Sequence, residues 1–140
     1  VITQQQADAL IAMAKEADRD DVFVWEINQS QNETMEAVEN RKIQFVLSLK
    51  RSPYRIRLHC RTRDRDIGLV RVDDSLHHIN PDGTEIRNQP HIHIYREGYP
   101  DLVWAEPIDW YDVHNPMATL QRFLDEIRGR FPNGYQLSLL

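Results

Sequence analysis

Ile43-Gln44-Phe45-Val46-Leu47-Ser48-Leu49-Lys50-Arg51-Ser52-Pro53-Tyr54-Arg55-Ile56-Arg57-Leu58-His59-Cys60-Arg61-Thr62-Arg63 alternates with a period of two on both sides of a Ser-Pro turn. In the first arm Ile43, Phe45, Leu47 and Leu49 share a face opposite Gln44, Ser48 and Lys50. In the second, Tyr54, Ile56, Leu58, Cys60 and Thr62 share one face, and Arg55, Arg57, His59, Arg61 and Arg63 share the other. Side chains that alternate in this way belong to strands with one buried and one wet side. The second arm is therefore half core and half cationic rail.

Further strands follow on either side. Asp64-Arg65-Asp66 makes a turn into a strand over 67–72, and Val22 to Ile27 is rich in β-branched and aromatic residues. Residues 28–40 are polar and acidic and read as a loop. Residues 73–90 read as a loop built on Asn80-Pro81-Asp82-Gly83, in which proline suits the second turn position and glycine tolerates positive φ. His91 to Arg96 reads as a strand, 97–101 as a turn and Leu102 to Ala105 as a short strand.

A helix stands at each end. Over 3–17, Thr3 and Gln6 form a capping box, and Ala7, Leu10, Ile11 and Ala14 recur at helical spacing. The closing helix starts at Asn115-Pro116, carries the stripe Leu120, Phe123, Leu124 and Ile127, and stops at Gly129 or Pro132. The expected fold class is α+β: an antiparallel sheet of five or six strands with an N-terminal and a C-terminal helix, in a single domain over 1–140. Two helices covering one face leave the other for a ligand.

The 140 residues are 41% apolar and 28% charged, enough to build a core. Mean hydropathy is −0.61. No apolar run approaches the ~20 residues of a membrane span, and the opening residues lack the plan of a secretory signal. A cytoplasmic protein with no membrane partner is expected. One cysteine, Cys60, excludes a disulfide framework and a four-cysteine zinc site. The net charge of −5 hides an asymmetry: Arg41 to Arg71 holds ten bases and two acids, whereas the remainder carries −13. Such a division suggests a local polyanion site on an acidic body.

The rail fits that site, because a strand lines up alternate residues and arginine donates two hydrogen bonds to one phosphate. Acids such as the pair at 73–74 offer internal neutralisation. Pro90-His91-Ile92-His93-Ile94-Tyr95-Arg96 then sets His91, His93 and Tyr95 on the side opposite Ile92 and Ile94. Imidazoles flanked by arginines can cleave RNA without metal, one taking the 2′-hydroxyl proton and another protonating the leaving oxygen. The candidate catalytic residues are His59, His91, His93 and Tyr95. The candidate nucleic-acid contacts are Arg55, Arg57, Arg61, Arg63 and Arg96. A competing reading of His-x-His is metal binding, with a third ligand from His59, His77, His78, Asp73 or Asp82; the nearby arginines oppose it, so no metal is expected. No cofactor is expected either, since phosphate-binding glycine loops and nucleophile elbows are missing from the sequence.

Arg71-x-Asp73, His78-x-Asn80-Pro81-Asp82-Gly83-x-x-Ile86, Pro90 to Tyr99 and Trp104-Ala105 together resemble an uncharacterised family of small proteins from bacterial and mobile-element genomes, a domain of unknown function. The likeness covers roughly 60–108 and departs from the pattern at Gln89 and at 100–103. It implies a prokaryotic or phage setting and, through that, toxin–antitoxin or phage-conflict biology. Three functions are thus expected to compete: a metal-independent endoribonuclease toxin, a nucleic-acid binder (RNA favoured) without turnover, and a non-catalytic protein-interaction factor whose partner is an antitoxin or a defence enzyme.

Overall fold

The computed structural model describes residues 1–139. Helix α1 (Gln4–Ala12) is followed by ten strands, β1 (Lys15–Ala17), β2 (Phe23–Trp25), β3 (Gln31–Ala37), β4 (Gln44–Arg51), β5 (Ile56–Thr62), β6 (Gly68–Val72), β7 (His78–Ile79), β8 (Glu85–Ile86), β9 (His91–Ile94) and β10 (Ala105–Pro107), then by helix α2 (Pro116–Ile127) and two further strands, β11 (Gly129–Arg130) and β12 (Tyr135–Leu137). The class is α+β. The main sheet has eight strands, ordered β10-β9-β6-β5-β4-β3-β1-β11, rather than five or six, and all its neighbours are antiparallel except β1 and β11.

Both helix starts follow the sequence. Thr3 accepts from the Gln6 backbone while the Gln6 side chain accepts from Thr3, and Asn115 accepts from the Ala118 N–H with Pro116 in the first turn. The apolar stripe of α2 packs Leu120, Phe123, Leu124 and Ile127 on the sheet face formed by Phe45, Leu47, Leu49, Ile56, Leu58, Cys60, Val70 and Val72. Buried apolar area of this kind dominates the stability of a small domain.

The differences lie where pairing overrode local pattern. Helix α1 stops at Ala12 because Met13 turns extended, and the chain continues as β1, five residues before the expected helix end. Lys15 explains the stop: its buried Nζ donates to the carbonyls of Ile11, Met13 and Ile127, at the C-terminal ends of both helices, where a cation is favoured. Residues 31–37 form β3 instead of a loop. Only Met35 and Ala37 are buried in it, and the strand is held by its ladders to β4 and β1. Strand β2 lies outside the main sheet and pairs in parallel with β12. The short strand expected over 102–105 forms later, as β10, because Asp101 and Leu102 both take positive φ in a turn. The loop over 73–90 contains the β7–β8 hairpin, whose turn is the expected Asn80–Gly83, with Gly83 at φ +90°.

Candidate functional site

The face of the sheet turned away from the helices carries a straight row across five strands. Asn32 pairs with Ser48, Ser48 with His59, His59 with Arg71, and Arg71 with His93. Alternation thus puts the histidines of β5 and β9 on one side, as expected, and register puts Arg71 between them. Their surroundings differ. Arg57 and His59 face outward on β5, whereas His91 and His93 are 1% and 5% exposed.

What covers β9 is polar. His78, on β7, donates from Nε2 to the Val103 carbonyl at 2.7 Å, and Asn80 Oδ1 lies 3.1 Å from the same nitrogen. Buried Asn80 donates to the Ala105 carbonyl and accepts the Ala105 N–H, tying the β7–β8 hairpin to β10. His93 Nδ1 meets the Leu102 carbonyl at 2.6 Å, and His91 Nδ1 meets the Gln89 carbonyl at 3.2 Å. The rings of His78, His91 and His93 form a triangle with centroid separations of 4.9, 5.1 and 5.5 Å.

Next to this cluster, a cavity of about 820 Å³ is lined by His59, Arg61, Arg71, Tyr95, Tyr99 and Leu102, among others. Two polar atoms on the His59–Arg71 pair, His59 Nε2 and Arg71 Nε, are buried and without a hydrogen-bond partner. Burial, then the charges of Arg71 and Arg61, push the His59 pKa down to about 4. Burial and Arg71 likewise push His93 down to about 4. Both rings are neutral at pH 7. Cys60, buried on the opposite side, is pushed up to about 11 and stays a thiol. Tyr95 points its hydroxyl at the Ile2 carbonyl and packs on the core, so its proton is already engaged.

The cationic rail is present on β5 and partly compensated. Asp74 sits 3.2 Å from Arg55 Nε and 3.5 Å from Arg57 Nε, so one carboxylate serves two guanidiniums, which stay 62% and 54% exposed. Arg61 is held by Asp66 at 2.6 Å and by the Ser48 hydroxyl at 2.7 Å. Arg63 donates to the neutral Gln44 side chain at 2.6 Å. Lys50 pairs in register with Arg57 and adds a cation to the face. Arg96 stands apart, on the turn after β9, with its guanidinium 3.9 Å from the Trp104 ring.

Sequence reasoning gave Arg71, which joins His59 to His93, no role of its own beyond a motif position, and foresaw Asp74, which answers the rail, only as one of a pair of acids able to neutralise it. It named His78 as one of several third ligands and as a motif position, without a partner. The signal was there in His78-x-Asn80, whose side chains share a carbonyl-rich pocket. No helix among the described residues is long and apolar enough to cross a membrane. No curated protein and no solved structure matches the chain. Residues 2–128, which include both helices, the whole of the row and the histidine cluster, match the family of unknown function DUF6978, and the chain belongs to that family.

Proposed function

We propose that this protein binds single-stranded nucleic acid, RNA in the first instance, across the exposed face of β4 and β5, without cutting it. The observation that carries the proposal is the row of outward cations on that face. Lys50, Arg55, Arg57 and Arg63 are all exposed, and the partners of the last three are one shared carboxylate and one neutral amide. Phosphates could replace Asp74 at both guanidiniums, which is a reason for the charge to be compensated loosely in the free protein. Tyr54, 82% exposed on the turn that begins the rail, offers a ring on which a base can stack.

Turnover is less well supported by the same geometry. Acid–base cleavage of RNA needs one protonated and one neutral group within reach of a single phosphate. Here His59 and His93 are both neutral and separated by Arg71. The bacterial or mobile-element setting belongs to this proposal on the strength of the motif resemblance, and the cytoplasmic location on that of the polar composition.

The test is fluorescence anisotropy with labelled single-stranded RNA, followed by gel analysis of the same RNA after incubation in EDTA. Saturable binding with intact RNA supports the proposal. Cleavage that disappears in His59→Ala or His93→Ala would restore the ribonuclease reading. No binding to RNA or single-stranded DNA would overturn the nucleic-acid reading and favour the protein-interaction one.

A further inference from the structure

We infer that His78, His91 and His93 are the protein ligands of a divalent transition-metal site, best suited to zinc, that clips the β7–β8 hairpin to β9. The site is independent of the RNA-binding face. One nitrogen from each of the three rings lies within 4.8 Å of one from each of the others. The rings come from two segments, β7 and β9, so a shared ion would cross-link them.

Tautomers carry the inference further. A carbonyl only accepts, so a ring nitrogen facing one must bear the proton. The carbonyls of Val103, Gln89 and Leu102 therefore put hydrogens on His78 Nε2, His91 Nδ1 and His93 Nδ1. That leaves lone pairs on His78 Nδ1, His91 Nε2 and His93 Nε2, and no donor among the described residues meets any of them. A metal-ligating histidine characteristically gives its other N–H to a carbonyl or carboxylate, which fixes the ring and raises its basicity. All three rings here have that outer partner, and Asn80 secures His78 a second time.

The donor set names the metal class. Three imidazoles with no carboxylate or thiol in the cluster favour zinc and its neighbours over calcium or magnesium. Tetrahedral bonds of about 2.0–2.1 Å bring nitrogens to roughly 3.4 Å apart, so the rings would close in by side-chain rotation. Among the described residues the cluster holds three ligands, which leaves the fourth position to water. Arg71, in register with His93, opposes the cation, and Asp73 at 3.7 Å from its Nε offsets part of that charge.

The experiment uses the full chain, stripped with a chelator and dialysed, then titrated with cobalt(II) and with zinc(II). Long-range proton–nitrogen spectra follow the six histidine rings. The expected result is one ion per chain, a visible cobalt spectrum of four-coordinate intensity, and nitrogen shifts confined to His78, His91 and His93. In His78→Gln, affinity should fall about tenfold or more, while His77→Ala, at an exposed position, binds as the parent does. Absence of stoichiometric binding would overturn the site, as would shifts on other histidines. If His78→Gln does not fold, the parent's ring shifts decide alone.

Discussion

His59 and His93 lie on one line across the sheet, two strands apart, each paired in register with Arg71. Strands are about 4.8 Å apart, so the two backbones stand roughly 9.6 Å from each other, with a guanidinium-bearing residue filling the place between. The arrangement turns an expected acid–base pair into a histidine at a cavity and a histidine in a buried cluster. Arg71 also disfavours charge on both rings, after burial, which is the larger cause at each.

The first prediction concerns pH. The folded pKa of His59, about 4, lies below its ordinary 6.5. Between those values the unfolded chain binds more protons than the folded one, so acid favours unfolding. This contribution to stability is complete above pH 6.5 and is lost as pH falls towards 4. Ring-proton NMR should find His59 untitrated down to about pH 5. In His59→Gln the loss of stability across the same window should be shallower, as read by urea midpoints at pH 7 and pH 5. A His59 titration near 6.5 would refute the burial ascribed to it.

Asp74 gives a charge test. Asp74→Asn frees Arg55 and Arg57 from their common carboxylate. RNA affinity should rise several-fold at low salt, because phosphate no longer has to displace a carboxylate at Arg55 and Arg57, and the gain should shrink as salt rises. Unchanged binding would mean that the two arginines do not meet phosphate.

Tyr54 separates stacking from charge. Tyr54→Ala should weaken binding by about 1–3 kcal/mol if one base stacks there, with the salt slope unaltered. Anisotropy at three salt concentrations reads both quantities together.

Lys15 tests the fold. Lys15→Met keeps the chain's bulk and removes three hydrogen bonds to the carbonyls of Ile11, Met13 and Ile127. Buried carbonyls left without partners should lower stability by about 2–4 kcal/mol in urea unfolding, with the RNA-binding face unaffected.

Much of this architecture is legible in the sequence where one residue's surroundings are local. The alternation through β4 and β5, the capping residues Thr3 and Asn115, and the Asn80–Gly83 turn all depend on neighbours a few positions away. What escaped depends on distant partners. Strand β3 has few apolar residues and exists because β4 and β1 flank it. Lys15 looks like a helical surface residue until the end of α2 arrives beside it from residue 127. Strands β11 and β12 are short and pair with β1 and β2, so nothing within their own residues announces them.

The candidate site divides in the same way. The common face of Arg55, Arg57, Arg61 and Arg63 follows from period two alone. The burial of His91 and His93 does not, because it is supplied by His78, Asn80 and Leu102 from outside the strand. Asp74 in particular could be foreseen only as a general possibility, and its seat between two arginines is set by the geometry after β6.

The most direct measurement is the salt dependence of RNA binding by the parent chain and by Arg57→Ala/Arg63→Ala. Roughly 0.7 is expected per phosphate contacted on a single strand, which predicts a log–log slope of about −2 to −3.5 for the parent and one flatter by about 1.4 for the double variant. A parent slope near zero, or one that the two substitutions leave untouched, would contradict a phosphate-binding role for the rail.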